Sequence, residues 1–92
     1  MNQTDLIKEF VNGATEGQVG DAKIVGDRFY HFDTPIIERY KKQFIFNESK
    51  YTDVTRFLQK KILALIPETK LIKVDKVKMN YNKSLQDYLI KK

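Results

Sequence analysis

The stretch that decides the fold runs from residue 23 to residue 66 and reads KIVGDRFYHFDTPIIERYKKQFIFNESKYTDVTRFLQKKILALI. Short runs of apolar and aromatic residues fill its first half, and Gly26-Asp27 between two of them suits a hairpin turn. Its second half has apolar residues at helical spacing and ends before Pro67. Together these patterns predict a small α+β domain in which a sheet packs under an amphipathic helix.

Four short strands are predicted in this stretch, joined by tight turns into a small antiparallel sheet. Their ranges are Lys23–Val25, Arg28–Phe32, Ile36–Tyr40 and Gln43–Phe46. A fifth strand is predicted over Leu71–Met79, which is rich in valine, isoleucine and leucine. Its alternation slips at Asp75-Lys76, which a β-bulge or an early strand end would explain, and a helix is the competing interpretation. We therefore expect four to five strands.

The central helix has the clearest pattern in the chain. Thr52 or Asp53 can cap its N-terminus. The apolar stripe expected to pack on the sheet consists of Val54, Leu58, Ile62 and Leu65. The residues expected on the opposite side are Arg56, Gln59 and Lys60. Leu63 falls among these, and we expect a neighbouring helix, rather than a partner, to cover it.

A helix is also predicted near each end of the chain. The N-terminal one begins at residue 4 or 5 and ends at Asn12, with Gly13 as the C′ residue. The short C-terminal one is capped by Ser84, and Asp87 completes a pattern similar to a capping box. The apolar residues of this last helix are Leu85, Tyr88, Leu89 and Ile90. The segment 14–21 is polar and contains glycine, which predicts a loop.

Composition indicates a small folded protein. The chain has 92 residues, of which 41% are hydrophobic and 12% aromatic, and residues 1–92 are expected to form a single domain. It contains no cysteine, which excludes disulfides and thiolate metal sites. The N-terminal residues lack the features of a signal peptide, and no apolar run is long enough to span a bilayer. These features predict a soluble, cytoplasmic protein.

Positive charge is concentrated in the second half of the chain. Residues 1–46 carry six Lys/Arg and seven Asp/Glu, whereas residues 47–92 carry eleven and five, which gives +5 overall. A basic half on a small domain is typical of proteins that bind nucleic acid or another anionic partner. Lysines also keep small proteins soluble and protect strand edges, so both interpretations stay open at this point.

No pattern in the sequence predicts catalysis, a metal or a cofactor. His31 is the only histidine, and its position in an aromatic strand predicts a partly buried structural role. The glycines at 13, 17 and 20 follow a helix, whereas a phosphate-binding loop follows a strand and opens a helix. No two carboxylates are paired as an acid and a base. We expect a protein that is not an enzyme.

The junction between the fourth strand and the central helix is the candidate binding site. Lysine and arginine neutralise phosphates, and an exposed tyrosine can stack on a base. The predicted nucleic-acid-binding residues are Lys50, Tyr51, Arg56, Lys60 and Lys61. The alternative for Tyr51 is structural, because its ring could fasten the start of the helix to the sheet.

The aromatic residues of the strands are a second candidate surface. They are Phe29, Tyr30, Phe32, Tyr40, Phe44 and Phe46. Aromatic side chains on an open sheet face stack bases in some modules that bind single-stranded RNA. Packing under the helices is the more ordinary explanation, and the chain lacks the RNP1-like string of those modules.

A pattern TPI-x-x-R followed by N-x-S-K-Y extends from the third strand into the central helix. The matching residues are Thr34, Pro35, Ile36, Arg39, Asn47, Ser49, Lys50, Tyr51, Thr52 and Thr55. This pattern resembles one in small accessory proteins of phages and plasmids, although it covers less than half of the chain. Ile37 replaces a small residue of that family, and Asp53-Val54 replaces repeated hydroxyls. The resemblance implies a mobile-element origin.

Charge and resemblance together lead to one favoured function and one alternative. The favoured function is a small non-catalytic module that contacts DNA or RNA through its basic C-terminal half. The alternative is a phage- or plasmid-encoded inhibitor that binds a host defence protein such as a CRISPR nuclease, through a patch around Leu63. The positive charge favours the first, since many inhibitors that mimic nucleic acid are acidic. The sequence does not predict base specificity or oligomeric state.

Overall fold

A computed structural model describes residues 1–89 and shows a six-stranded sheet with two α-helices. Helix α1 spans Gln3–Val11 and helix α2 spans Asp53–Leu65. The strands are β1 (Glu16–Val19), β2 (Ala22–Val25), β3 (Arg28–His31), β4 (Thr34–Tyr40), β5 (Gln43–Asn47) and β6 (Leu71–Val74). Two short 3-10 helices span Glu68–Lys70 and Leu85–Tyr88. The α+β class is confirmed, and the strand count exceeds the prediction.

The strands follow one another across the sheet in chain order. β1 to β5 pair antiparallel, each with the next. α2 then carries the chain back, so that β6 lies parallel to β5. The sheet is therefore mixed, and the expectation of a purely antiparallel sheet is wrong at this last strand. A helical crossover, unlike a hairpin, returns the chain to the same end of the sheet.

β1 lies in the polar segment whose composition predicts a loop. As an edge strand it pairs only with β2, and the backbone bonds that form this pair need few apolar side chains. A Cβ atom at Gly17 would lie 2.9 Å from Leu6 Cδ1, so glycine allows α1 to pack closely on this edge. Gly17, which in the sequence suggests a loop, is thus explained by the close packing of α1 on β1.

The sheet carries a core on each face. α1 and α2 cover one face and form the larger core. Its buried members are Leu6, Ile7, Phe10, Ala22, Ile24, Phe29, Ile36, Ile37, Phe46, Leu58, Ile62 and Ile66. The segment after β6 helps to cover the other face, where the smaller core consists of Ile45, Val74, Val77 and Leu85. Ile45 and Phe46 enter opposite cores, because successive strand residues point to opposite faces.

A buried carboxylate holds the C-terminal segment on the sheet. Glu38 is 2% exposed, and it accepts hydrogen bonds from Leu85 N at 2.8 Å and from Ser84 Oγ at 2.7 Å. Its Oε1 also lies 3.4 Å from Arg28 Nε, which balances the buried charge. Ser84 caps the following turn as predicted, but that turn is a 3-10 helix. Ile90 of the predicted helix lies outside the described residues.

The segment Leu71–Met79 is a strand only as far as Val74. Lys76 has φ of 59°, a left-handed conformation that ends extended pairing. Val77 then enters the smaller core. The slip in alternation at Asp75-Lys76 therefore marks an early strand end, and the helical interpretation of this segment is wrong.

Helix α2 begins after Thr52, whose side chain accepts a hydrogen bond from Thr55 N and caps the helix. Its buried residues are Thr55, Leu58, Gln59 and Ile62. The predicted apolar stripe is thus confirmed at Leu58 and Ile62 and wrong at Val54 and Leu65, which are 57% and 39% exposed. Leu63 is 40% exposed, so no neighbouring helix covers it fully. Relative to the predicted orientation, the helix is rotated about its axis, because the polar side chains of residues 55 and 59 have hydrogen-bond partners inside the protein.

The rotation of α2 gives a stability test in which two residues of one predicted stripe behave differently. Leu58→Ala should lower the free energy of unfolding by about 2–5 kcal/mol, because it leaves a cavity in the larger core. Val54→Ala should change it by less than about 0.5 kcal/mol, since this side chain is mostly in solvent. Chemical denaturation of both variants measures the difference, and equal losses would contradict this orientation of the helix.

Candidate nucleic-acid interface

The geometry of the candidate site is set by a buried hydrogen-bond network where β5 leads into α2. Asn47 is fully buried, and its Nδ2 donates to Pro35 O at 2.9 Å and to Tyr51 Oη at 3.0 Å. Asn47 Oδ1 accepts from Ser49 N at 2.9 Å. Gln59 Nε2 donates to the carbonyl oxygens of Asn47 and Ser49 at 2.7 and 2.9 Å. The buried face of α2 is thereby tied to the chain that leaves β5.

The same network holds the chain that leaves β6. Ser49 Oγ accepts from Val77 N at 2.9 Å, and Tyr51 Oη donates to Val77 O. Glu48 N donates to Val74 O at 2.9 Å. The segments that follow two parallel strands therefore lie side by side, next to the start of α2.

A groove of about 700 Å³ opens at this place. Its walls are residues 48–50 after β5, residues 75–77 after β6, and one side of α2. Phe46, Leu63 and Val77 supply its apolar surface. In open sheets with helical crossovers, ligands bind in the crevice outside the carboxyl ends of parallel strands. The groove occupies the corresponding place at the single parallel pair of this sheet.

Four cationic side chains and two carboxylates line the groove. The cations are Lys50, Arg56, Lys60 and Lys76, and the carboxylates are Glu48 and Asp75, a balance of +2. All four cationic residues are exposed. Within residues 1–89, none of the four takes part in an ion pair. Their charge is therefore available to an anion that enters the groove.

Three of the five predicted binding residues, Lys50, Arg56 and Lys60, meet in this groove. Tyr51 does not line the groove; it is partly buried, and its hydroxyl is bonded within the network. Lys61 lies elsewhere on α2, with Nζ 5.1 Å from the centre of the Phe57 ring.

Lys76 is the one groove cation that the sequence-based prediction omitted. It stands in the turn after β6, more than a dozen residues from the other three cations along the chain. Lys76 reaches the groove only because the chain returns after α2 to form β6 parallel to β5. The slip in alternation at Asp75-Lys76 was the available signal, because it marks where the chain leaves the sheet.

The residues of the TPI-x-x-R and N-x-S-K-Y pattern hold the fold together, apart from Lys50. Thr34 Oγ1 accepts from Asn80 N at 2.7 Å, and Ile36 is fully buried in the larger core. The Arg39 guanidinium donates to the carbonyl oxygens of Phe10, Ala14 and Gly26. The other members belong to the network around Asn47 or to the cap of α2. In this chain the pattern therefore consists mostly of residues that pack or bond within the fold.

The aromatic residues of the strands are mostly packed inside. Phe29 and Phe46 are in the larger core, Tyr30 is 5% exposed, and Phe44 and Tyr40 pack against the two cores. Phe32 differs, because it follows β3 and is 50% exposed. Within residues 1–89 there is therefore no open aromatic sheet face, and the other five side chains pack in or against the cores.

His31 is more deeply buried than its sequence context predicts. It is 1% exposed, and its Nδ1 lies 2.8 Å from Thr55 Oγ1. Burial lowers the pKa of His31, which is only partly opposed by the charge of Asp21. The imidazole is therefore neutral at pH 7, as its buried position requires.

Comparison with known proteins finds no match, whether among protein-family models, curated proteins or solved structures. Residues 1–89 contain no group of three or more His, Asp and Glu side chains that could hold a metal ion. In the same part of the chain no helix is long and apolar enough to cross a membrane.

The network predicts a large cost for an isosteric change at Gln59. Gln59→Glu replaces an amide that donates two buried hydrogen bonds by a carboxylate facing two carbonyl oxygens. It should lower the free energy of unfolding by about 2–4 kcal/mol, because the carbonyls lose their donor. Gln18→Glu, at an exposed position in β1, should cost less than about 0.5 kcal/mol in the same denaturation experiment.

Burial of His31 predicts that stability falls as pH is lowered from 7 to 5.5. The unfolded chain takes up a proton near pH 6.5, whereas the lowered pKa keeps the folded state neutral. The unfolded state then binds more protons, so the free energy of unfolding decreases below about pH 6.5. His31→Gln should remove this dependence, because it replaces the only histidine of the chain. Equal slopes in denaturation series of both proteins would contradict the assignment.

Proposed function

We propose that this protein is a non-catalytic module that binds DNA or RNA in the groove at the carboxyl ends of β5 and β6. One observation carries the proposal: cations from three separate segments line a single groove and have no ion-pair partner among residues 1–89. Lys50 comes from the chain after β5, Arg56 and Lys60 from α2, and Lys76 from the chain after β6. If these cations served solubility alone, we would not expect them to lie together in one groove.

The chemistry of the groove suits a phosphate backbone better than an isolated small anion. Glu48 and Asp75 stand among the four cations, so positive charge is spread along the groove. The half-exposed Leu63 offers an apolar contact for sugars or base faces. Binding would then combine several separate phosphate contacts with limited apolar burial, and counterion release would drive it.

The proposal is tested by the salt dependence of binding. Arg56→Ala combined with Lys60→Ala should weaken binding to a short generic duplex. It should also reduce the slope of log K against log salt by about 1.8, because two phosphate contacts are lost. Fluorescence anisotropy with a labelled duplex between about 50 and 200 mM salt measures both effects.

A matched control removes two charges outside the groove. Lys8 and Lys42 are exposed, and neither lines the groove. The double variant Lys8→Ala/Lys42→Ala has the same net charge as the groove variant and should leave the slope unchanged. Absence of binding by the unaltered protein to both a duplex and a single strand at low salt, or equal slopes for both double variants, would contradict the proposal.

The second candidate is a protein-binding inhibitor of a host defence system, encoded by a mobile element. One observation favours it: Val54, Phe57 and Leu65 form an apolar flank on α2 and are 57%, 54% and 39% exposed. None of these three residues lines the groove. A pull-down from host lysate with and without nuclease treatment discriminates the two. A nuclease-resistant protein partner, with no affinity for nucleic acid, supports the inhibitor.

A further inference from the structure

A second cavity, of about 310 Å³, lies beside the groove. Its apolar rim includes Phe32 and Met79, which are 50% and 58% exposed. Hydroxyl groups of the chain around the start of α2 and of β4 supply most of its polar lining. These belong to Thr34, Tyr51, Thr52 and Thr55. A cavity of this size and lining suits a flat ligand with apolar faces and a polar edge.

The four hydroxyl groups of the lining have hydrogen-bond partners, whereas one buried ring nitrogen has none. Thr34 Oγ1 accepts from Asn80 N, and Thr52 Oγ1 accepts from Thr55 N. Thr55 Oγ1 is bonded to His31 Nδ1. His31 Nε2 is the only buried side-chain nitrogen or oxygen in residues 1–89 without a hydrogen-bond partner. Because a buried polar group without a partner costs free energy, a ligand edge that reached this atom would gain affinity.

The Phe32 ring is held at the cavity by a strained turn. Phe32 and Asp33 form the two-residue connection between β3 and β4, with φ of 53° and 62°. Asparagine and glycine are preferred at such positions, and a bulky side chain there is an outlier. The Phe32 ring packs edge-on against His31, with ring centroids 4.4 Å apart. Backbone strain of this kind is concentrated at functional sites, which points to a role for the exposed ring.

The cavity and the groove have no lining residue in common, but nearby residues of the same two segments line them. Tyr51 lines the cavity and the preceding Lys50 lines the groove. On the facing segment Val77 lines the groove and Met79 lines the cavity. A single strand bound in the groove could therefore place one of its bases at the cavity.

We infer that this cavity receives one unstacked nucleobase of a single strand whose phosphates lie in the groove. The base would stack on Phe32, lie against the Met79 side chain and direct its polar edge toward His31 Nε2. This inference rests on the proposed function and narrows it, because a paired base inside a duplex cannot enter the cavity. It predicts a preference for single strands over duplexes.

The test uses Phe32→Asn, which separates binding from folding. Asparagine favours the left-handed backbone of this turn, so the variant should be as stable as the original protein or more stable. Loss of the stacking ring should weaken binding to a ten-nucleotide single strand roughly 5- to 150-fold. The salt slope should stay unchanged, because no phosphate contact is lost. A 2-aminopurine base in the oligonucleotide reports stacking by its fluorescence.

Phe57→Ala is the matched control, since Phe57 is also half-exposed but lines neither the groove nor the cavity. It should leave both the affinity and the 2-aminopurine signal unchanged. If the unaltered protein binds no nucleic acid, the proposed function and this inference both fail. If it binds and Phe32→Asn matches its affinity and signal, the inference alone is overturned. A stable Phe32→Asn protein that loses affinity only for single strands supports it.

Discussion

The whole arrangement depends on hydrogen-bond partners for the buried side-chain amide of Asn47. This residue ends β5, where the sheet changes from antiparallel to parallel pairing. At this point the chain must leave β5, build α2 and return as β6, and several backbone groups would otherwise be buried without partners. Asn47 and Gln59 supply the missing donors and acceptors. Because each bond fixes a distance between two segments, the network sets where α2 starts and how far the β6 exit lies from it.

This constraint also explains the surface of α2. Two of the four buried positions on the helix are polar, because Thr55 bonds to His31 and Gln59 bonds to the chain after β5. Two apolar residues of the predicted stripe are displaced to the surface in exchange. In this orientation Leu63, which helical spacing places beside Arg56 and Lys60, faces the groove. The groove therefore has both charged and apolar walls because the helix is oriented so that the buried polar side chains of the core have hydrogen-bond partners.

Local signals predicted the parts of the fold that depend on neighbours in the chain. The turn at Gly26-Asp27 and the cap at Thr52 are such cases, since turn and cap chemistry act over a few residues. β1 escaped prediction because its pairing is made by backbone atoms. The burial of Gln59 was not predicted, because its hydrogen-bond partners lie ten and twelve residues earlier in the chain. Of the candidate site, residue type suggested Lys50, Arg56 and Lys60, whereas Lys76 required knowledge of the parallel strand.

The parallel pairing of β5 and β6 has a consequence for the order of folding. β1 to β5 pair through short connections, so their contacts are local and can form early. Contacts that join residue 49 or 51 to Val77 span 28 and 26 positions and must close a much longer loop. The groove and the smaller cavity are both bounded by that late contact. A ligand held there would bind only the completed fold, and would stabilise it by mass action.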